Sequence, residues 1–397
     1  MRVCVVGLGK AGLPLAAVIA DSGIEVIGVD ISQNRVDEIN NGINPLPEEP
    51  GLSELIKKHG GKGLKATSDY STCPGKPGEI TTFIIIVPLF IDYNKKPDFS
   101  ILKKAFESVS KVINDGDIVV LETTVPPGTT EKILKPVLDN SNKKYHLAYS
   151  PERIMTGYSI SRYKEFPKVI GGFDKKSGEK AKELYSMFCK NVQLVSNIRT
   201  AEMIKVCEGV YRDVNIALAN ELFKVCESKG LDYYEIRHYA NHEYCNLHLP
   251  GNVGGHCIPV YPWFMINEFN VPLIKLAREI NDSMIDYYIA KIIKIAGNKK
   301  NVGIIGLSYR EGVKEKAYSM SITLIKKLKE KGFNVFGLDP MYNRTEVYNE
   351  FGIDIIKDIA NMDAIILMNN ESAFRDDLLK IKDKVVDVKN TLRKLLG

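Results

Sequence analysis

The stretch Pro250–Pro262, PGNVGGHCIPVYP, sets one cysteine behind three glycines and ahead of a proline. Glycine lets a backbone come close to another group, and proline stiffens the exit. Cys257 on such a loop is a candidate nucleophile: a thiolate can add to a carbonyl carbon. An ordinary cysteine titrates near ~8.5, so the thiol needs electropositive surroundings, which N–H groups of the glycine turn could supply. The alternative is an inert thiol on a tight turn. A second constellation opens the chain. Gly7-x-Gly9-x-x-Gly12 follows a strand-like run, and Asp30 ends the next one. In that setting the first glycine makes the turn and the second lets a pyrophosphate touch the backbone at a helix N-terminus. The third lets helix and strand pack closely, and the acid accepts from ribose hydroxyls. The pattern points to a bound dinucleotide, against a tight strand–helix turn with no ligand.

The elements that must position these residues are legible. Residues 2–9 read as a buried strand, 12–22 as a helix and IEVIGVD as a second strand, a βαβ unit. Apolar runs at TTFIIIVP and DIVVLETT, with weaker ones at YHLAYS and PKVIGG, extend it into a doubly wound α/β domain. From Arg199 to about Ser228 the periodicity becomes helical for some thirty residues and stops at Gly230. Its apolar positions, among them Ile204, Val210, Ile216, Leu218 and Leu222, lie on more than one face, so a homodimer built on this helix is expected. Helical patterns resume at VPLIKLAREINDSMIDYYIAKIIKIAG. At Asn301 a second strand–turn–helix–strand begins, in which Ile304–Ser308 match Val5–Gly9 and Asp339 matches Asp30. Ser308 stands where the second glycine would be and obstructs a second dinucleotide. The expected fold is α/β: a Rossmann-like NAD domain over 1–193, a central helical dimerisation domain with a long spine helix over 194–297, and a Rossmann-like domain over 298–397.

Bulk properties narrow the partners. The 397 residues are 44% hydrophobic and 26% charged, the balance of a globular chain of two or three domains. The formal net charge of +5 comes from scattered lysines mixed with acids, without a basic block, which argues against nucleic acid or an anionic membrane as partner. No apolar run reaches the roughly 18–20 residues that span a bilayer, and the chain opens directly on a strand, so a cytoplasmic protein is expected. Seven cysteines without C-x-x-C spacing argue against a disulfide framework or a zinc knuckle, and most of them are expected to fill cores. No metal is expected.

An NAD domain, a helical middle and a second α/β domain with a loop cysteine form a specific combination. The chain resembles the nucleotide-sugar 6-dehydrogenases (UDP-glucose, GDP-mannose and UDP-N-acetylhexosamine dehydrogenases) over nearly its whole length. The carriers are GLGKAGLP with Asp30, NPLPEEPGL, ETTVPPGTTE, YSPERIMTG, TAEMIK, YRDVNIALANE, PGNVGGHCIPV and AREIND. SPERI together with GGHCIPV is most similar to the branch acting on UDP-N-acetylated hexosamines, especially UDP-N-acetylmannosamine.

The resemblance implies oxidation of a primary alcohol to a carboxylate in two hydride transfers to NAD, with polysaccharide biosynthesis as its setting. Cys257 would trap the aldehyde as a thiohemiacetal, which oxidises to a thioester that water cleaves. Lys205 would stabilise the developing oxyanion, Glu152 would act as general base toward water, and Thr124 would orient that water. Cofactor contacts are expected at Gly7, Gly9, Gly12, Asp30, Arg35, Val87, Pro88 and Thr124. Substrate contacts are expected at Glu152, Arg153, Lys205, Tyr211, Gly254, Gly255 and Arg278, with a helix-surface ion pair as the alternative for Arg278. His256 is given no catalytic part, because sequence neighbours seldom face one another.

Four positions depart from the family pattern. Gly209 replaces an asparagine that donates to the oxyanion, Tyr261 an aspartate that meets the lysine, Leu89 a threonine after Val87-Pro88, and Ala317 an arginine of the third domain. Loss of one oxyanion donor costs about 10²–10³ in rate. A glycine in mid-helix suggests room for a bulkier ligand group or a water. Two readings stay open: an active four-electron dehydrogenase of a nucleotide sugar, or a diverged paralogue that binds NAD and a nucleotide ligand without completing the oxidation. For the cofactor, Asp30 would repel a 2′-phosphate. Calorimetric titration should therefore show NAD binding more tightly than NADP; equal or tighter NADP binding would reject that role for Asp30.

Overall fold

The structure, a computed structural model, describes residues 2–155, 157–369 and 371–394. Two compact units, residues 1–208 and 209–397, divide within the helix Ile198–Ser228.

In the first unit an eight-stranded sheet has the order Val192–Val195, Lys168–Gly172, His146–Tyr149, Ile118–Leu121, Thr81–Ile85, Arg2–Val6, Glu25–Val29, Leu64–Thr67. Neighbours run parallel except His146–Tyr149 against Lys168–Gly172. Because side chains alternate along a strand, Val3 and Val5 enter one core with Leu13 and Ala16, while Cys4 and Val6 enter the other with Phe83 and Ile85. Burial on both faces explains the unbroken apolar runs of the sequence. Each fully buried Val, Ile or Phe stabilises by about 1.5–3 kcal/mol relative to an exposed one. Chain order reverses between Arg2–Val6 and Thr81–Ile85, so Gly7 and Val87 leave adjacent parallel strands at the switch point where such sheets hold ligands.

The second unit holds a five-stranded parallel sheet, ordered Asp354–Ile355, Asn334–Leu338, Asn301–Ile305, Ala364–Leu367, Val385–Asp387. The helix Pro272–Ala296 starts on proline, whose missing N–H costs nothing in a first turn. Its second half, through Met284, Tyr288, Ile289 and Ile292, shares one core with Val302, Ile304, Val335 and Ile366 of the sheet. On the long helix, Tyr211, Leu218 and Val225 are exposed at a spacing of seven residues, which puts them on one face.

Within the first unit, Glu202 of the long helix clamps the loop that follows Ile118–Leu121. Its buried carboxylate accepts from the N–H of Gly128, from the N–H of Thr130 at 2.9 Å and from the Thr130 hydroxyl at 2.6 Å. Burial pushes its pKa up to about 7 although these bonds oppose it. The folded chain then keeps a proton that the unfolded chain releases near 4.5, so stability falls as pH rises between the two values. In thermal unfolding, wild type should lose stability relative to Glu202→Gln across that window; a difference independent of pH would remove the assigned protonation.

Candidate active site

The first glycine turn fits a dinucleotide on three separate counts. Gly7 adopts φ +99°, which side chains disfavour. A Cβ at Gly12 would lie 1.8 Å from the Gly7 carbonyl oxygen, so the helix can approach the strand only as glycine. At Gly9 a Cβ would meet no protein atom within 4 Å. Protein packing does not demand that glycine, and a pyrophosphate on the backbone would. Asp30, 8% exposed, accepts from the Leu8 N–H and the Ser32 N–H, each at 2.9 Å, and pairs with Arg35 at 3.1 Å. The acid therefore braces the turn and holds Arg35 at its rim. Asp339 repeats this brace in the second unit, accepting from Leu307 at 2.8 Å, Ser308 at 2.9 Å and Met341 at 2.9 Å. The internal repeat thus extends to hydrogen bonds.

Beside the turn, the Thr123 hydroxyl donates to the Val87 carbonyl at 2.5 Å and ties two strand exits together. Pro88 is exposed, and Val87 and Thr124 are half-buried on these tied loops. Leu89 packs on the core below the sheet.

Glu152 and Lys205 come together in the first unit. Burial raises the Glu152 pKa, with the charge of Lys205, then a backbone bond from Ile154, then Lys168, pulling it back. A carboxyl held above its ordinary value is suited to taking a proton near neutral pH. Lys205 is 9% exposed. Arg153 donates to the Pro167 carbonyl at 3.0 Å, pairs with Glu208 and lies 4.7 Å from the centre of the Phe166 ring. Behind Glu152 is a buried cluster in which Lys168 donates to Glu122 at 2.8 Å and the Tyr185 hydroxyl donates to the same oxygen.

In the second unit Cys257 is exposed, while Cys4, Cys73, Cys189 and Cys226 are buried. Cys207, on the long helix, is also exposed, and the four buried thiols match the expectation that most cysteines fill cores. The Cys257 carbonyl accepts from Val260 at 3.1 Å and Tyr261 at 3.0 Å, which starts the short helix Tyr261–Ile266. Asn220 grips Gly251 at both ends of its side chain, at 2.7 and 3.1 Å, and bonds Asn281 at 2.9 Å. Arg278 is 1% exposed: its guanidinium joins Asp213 and, at 2.9 Å, Asp282, so its place is a buried tie between helices, deeper than the surface ion pair weighed from sequence. Tyr211 is exposed and meets His248 edge-on at 5.8 Å. The Ala317 N–H donates to Glu315 at 2.9 Å.

At Gly209 the room suggested by the sequence is occupied by the chain itself. A Cβ there would lie 2.4 Å from the Tyr261 ring, which is 7% exposed. Two departures from the family pattern are therefore one packing event. Sequence reasoning missed Glu202, Lys168 and Asp213, whose importance lies in partners 65 or more residues distant for Glu202 and Asp213 and 46 for Lys168. TAEMIK and YRDVNIALANE contain Glu202 and Asp213, but the role drawn from TAEMIK concerned Lys205 and none was drawn for Asp213.

Among the described residues no helix is long and apolar enough to cross a membrane. The pattern of the UDP-glucose/GDP-mannose dehydrogenase family matches in three parts: its NAD binding domain over residues 1–189, its central domain over 199–283 and its UDP binding domain over 303–394. The UDP-N-acetyl-D-mannosamine dehydrogenase of Methanocaldococcus jannaschii is 38% identical over 100% of this chain and 93% of its own. An NDP-N-acetyl-D-galactosaminuronic acid dehydrogenase of Ralstonia nicotianae is 33% identical over 97% of this chain and 94% of its own. The solved UDP-D-ManNAc dehydrogenase of Pyrococcus horikoshii superposes with a TM-score of 0.86 at 30% identity, covering 97% of this chain and 93% of that one. The chain belongs to the UDP-glucose/GDP-mannose dehydrogenase family, as an oxidoreductase whose cofactor is NAD.

Proposed function

We propose that the protein oxidises the C6 hydroxyl of a UDP-N-acetylhexosamine, of the N-acetylmannosamine type, to the carboxylate. The observation that carries a two-step oxidation is Cys257, an exposed thiol on the Gly254–Gly255 turn in a chain whose other thiols are mostly buried. The sugar rests on the relatives from Methanocaldococcus jannaschii and Pyrococcus horikoshii, both named for UDP-N-acetylmannosamine. NAD, when bound, supplies the hydride acceptor for each oxidation. The chain does the rest. Lys205 stabilises charge on the substrate oxygen as its proton leaves. The Cys257 thiolate adds to the aldehyde carbon, so a C–S bond forms and the aldehyde cannot escape. The thioester that follows is cleaved by water: Glu152 takes the proton, Thr124 orients the water, and the thiolate departs. Arg153, Tyr211, Gly254 and Gly255 are assigned to the substrate side, while Arg278, expected there from the sequence, is occupied by Asp213 and Asp282. The segments 1–193, 194–297 and 298–397 are assigned to NAD, assembly and nucleotide sugar. A second reading, binding without completed oxidation, is favoured by one observation: the Tyr261 ring leaves no space for a donor at 209.

NADH formation with a panel of UDP-, GDP- and TDP-sugars separates the two. Wild type should release two NADH per UDP-N-acetylhexosamine consumed, with no free aldehyde caught by a carbonyl trap. Cys257→Ser should lose steady turnover, with at most about one slow oxidation per site. Gly209→Asn alone should be destabilised by about 1–3 kcal/mol, because it drives a side chain into the Tyr261 ring. With Tyr261→Asp added, stability should recover and turnover should rise. No NADH from any sugar in wild type or double variant leaves only the binding reading.

The heptad stripe Tyr211, Leu218 and Val225 supports a homodimer built on the long helix. Light scattering should report twice the chain mass; a monomer at all concentrations removes this assignment.

A further inference from the structure

The Cys257 loop is shaped by a residue from the second glycine turn. Gly255 adopts φ +88°, and a Cβ on it would lie 2.8 Å from two ring carbons of Tyr309. A Cβ on Gly254 would lie 3.4 Å from the Tyr309 Cβ. The phenol ring thus lies flush against Gly255, two residues before Cys257, and this contact with the positive φ explains that glycine; at Gly254 a Cβ would instead meet the Tyr318 carbonyl oxygen at 2.9 Å. The two segments are tied at one further point, through Glu315. The Tyr309 N–H donates to the Glu315 carbonyl at 3.0 Å, and the Glu315 carboxylate lies 3.4 Å from the His256 ring.

The polar end of Tyr309 has an unusual setting. Its hydroxyl has the Arg310 guanidinium as hydrogen-bond partner, and the charge of Cys257, two residues beyond the Gly255 contact, acts on it. A guanidinium can only donate, so the phenol oxygen accepts and its own proton remains for another acceptor. A donor that itself accepts from a cation is strengthened, because polarisation runs along the chain of bonds. Burial, the largest influence, raises the Tyr309 pKa, and the charges of Cys257 and Glu315 add to it while Arg310 opposes. The phenol therefore keeps its proton at neutral pH.

We propose that the hydroxyl of Tyr309, whose ring is seated on Gly255 and whose phenol is polarised by Arg310, is the donor that stabilises the oxyanion formed when the Cys257 thiolate adds to a carbonyl. In that step the C–S bond forms and the carbonyl π pair moves to oxygen, where the phenol O–H meets it. The role answers the loss of a donor at Gly209, whose space the Tyr261 ring fills. The inference rests on Cys257 as the nucleophile of the proposed function.

The test compares two reagents on wild type, Tyr309→Phe and Cys257→Ser. p-Nitrophenyl acetate acylates a thiolate through a tetrahedral oxyanion and expels nitrophenolate. Iodoacetamide alkylates it by displacing iodide, and no oxyanion forms. With Cys257→Ser as the blank, Tyr309→Phe should acylate at Cys257 about a hundredfold or more slowly than wild type and alkylate at the wild-type rate. Equal acylation in both proteins overturns the proposal. So does a parallel fall in alkylation, which would make Tyr309 a structural support of the loop, and so does an absence of Cys257-dependent acylation in wild type. NADH assays on the same proteins keep the two claims apart. Acylation that depends on Tyr309 without NADH from any sugar sinks the dehydrogenase reading and leaves the donor. NADH with acylation indifferent to Tyr309 does the reverse.

Discussion

Everything in the first unit depends on one close approach. The helix that begins at Gly12 meets the first strand with no space for even a methyl group between Gly12 and the Gly7 carbonyl. That contact fixes the angle at which helix leaves strand, aims the first-turn N–H groups outward and puts Gly9 where only backbone is presented. Asp30 holds the arrangement by gripping the Leu8 N–H. The same construction, Asp339 gripping Leu307 and Ser308, organises the second unit. Duplicated hydrogen bonds of this kind are stronger evidence of a shared plan than the short sequence match at Gly306.

Ionisable groups in the first unit follow a consistent logic. Glu202 and Glu152 are both held above their ordinary values by burial and both accept from backbone N–H groups, but only Glu152 also faces cationic side chains. Glu202 has backbone donors and a hydroxyl, which suits a fixed clamp. Glu152 has the charges of Lys205 and Lys168, which a proton transfer would alter, and this suits a group that changes state. The Lys168–Glu122 pair stays buried with Tyr185 attached, and removal of one partner would leave an uncompensated charge. Its position behind Glu152 lets a distant-looking pair bias the acid.

The second unit shows how a chain absorbs changes at functional positions. Tyr261 and Gly209 replace two polar residues of the family pattern, and the ring of one takes the space vacated by the other. Such a pair is coupled, so neither change can be judged alone. A large aromatic residue in place of an acid also dries its surroundings, which strengthens any remaining hydrogen bond to a charged oxygen.

The sequence by itself determined the two α/β sheets, the glycine turns, the long helix and a cysteine on a glycine-rich loop, because each rests on local rules: alternation, period, and the positions where only glycine fits. That the Cys257 thiol is exposed came from the tertiary structure. The helix expected from Arg199 to about Ser228 spans Ile198–Ser228. Tertiary structure alone decided what fills Gly209, since periodicity says nothing of a ring 52 positions away. It alone decided that Arg278 is sealed against Asp213 and that Glu202 holds the Gly128–Thr130 loop. It alone set the Tyr309 ring on Gly255. Burial, desolvation and charge partnership are properties of distance in space, and a sequence records only distance along the chain.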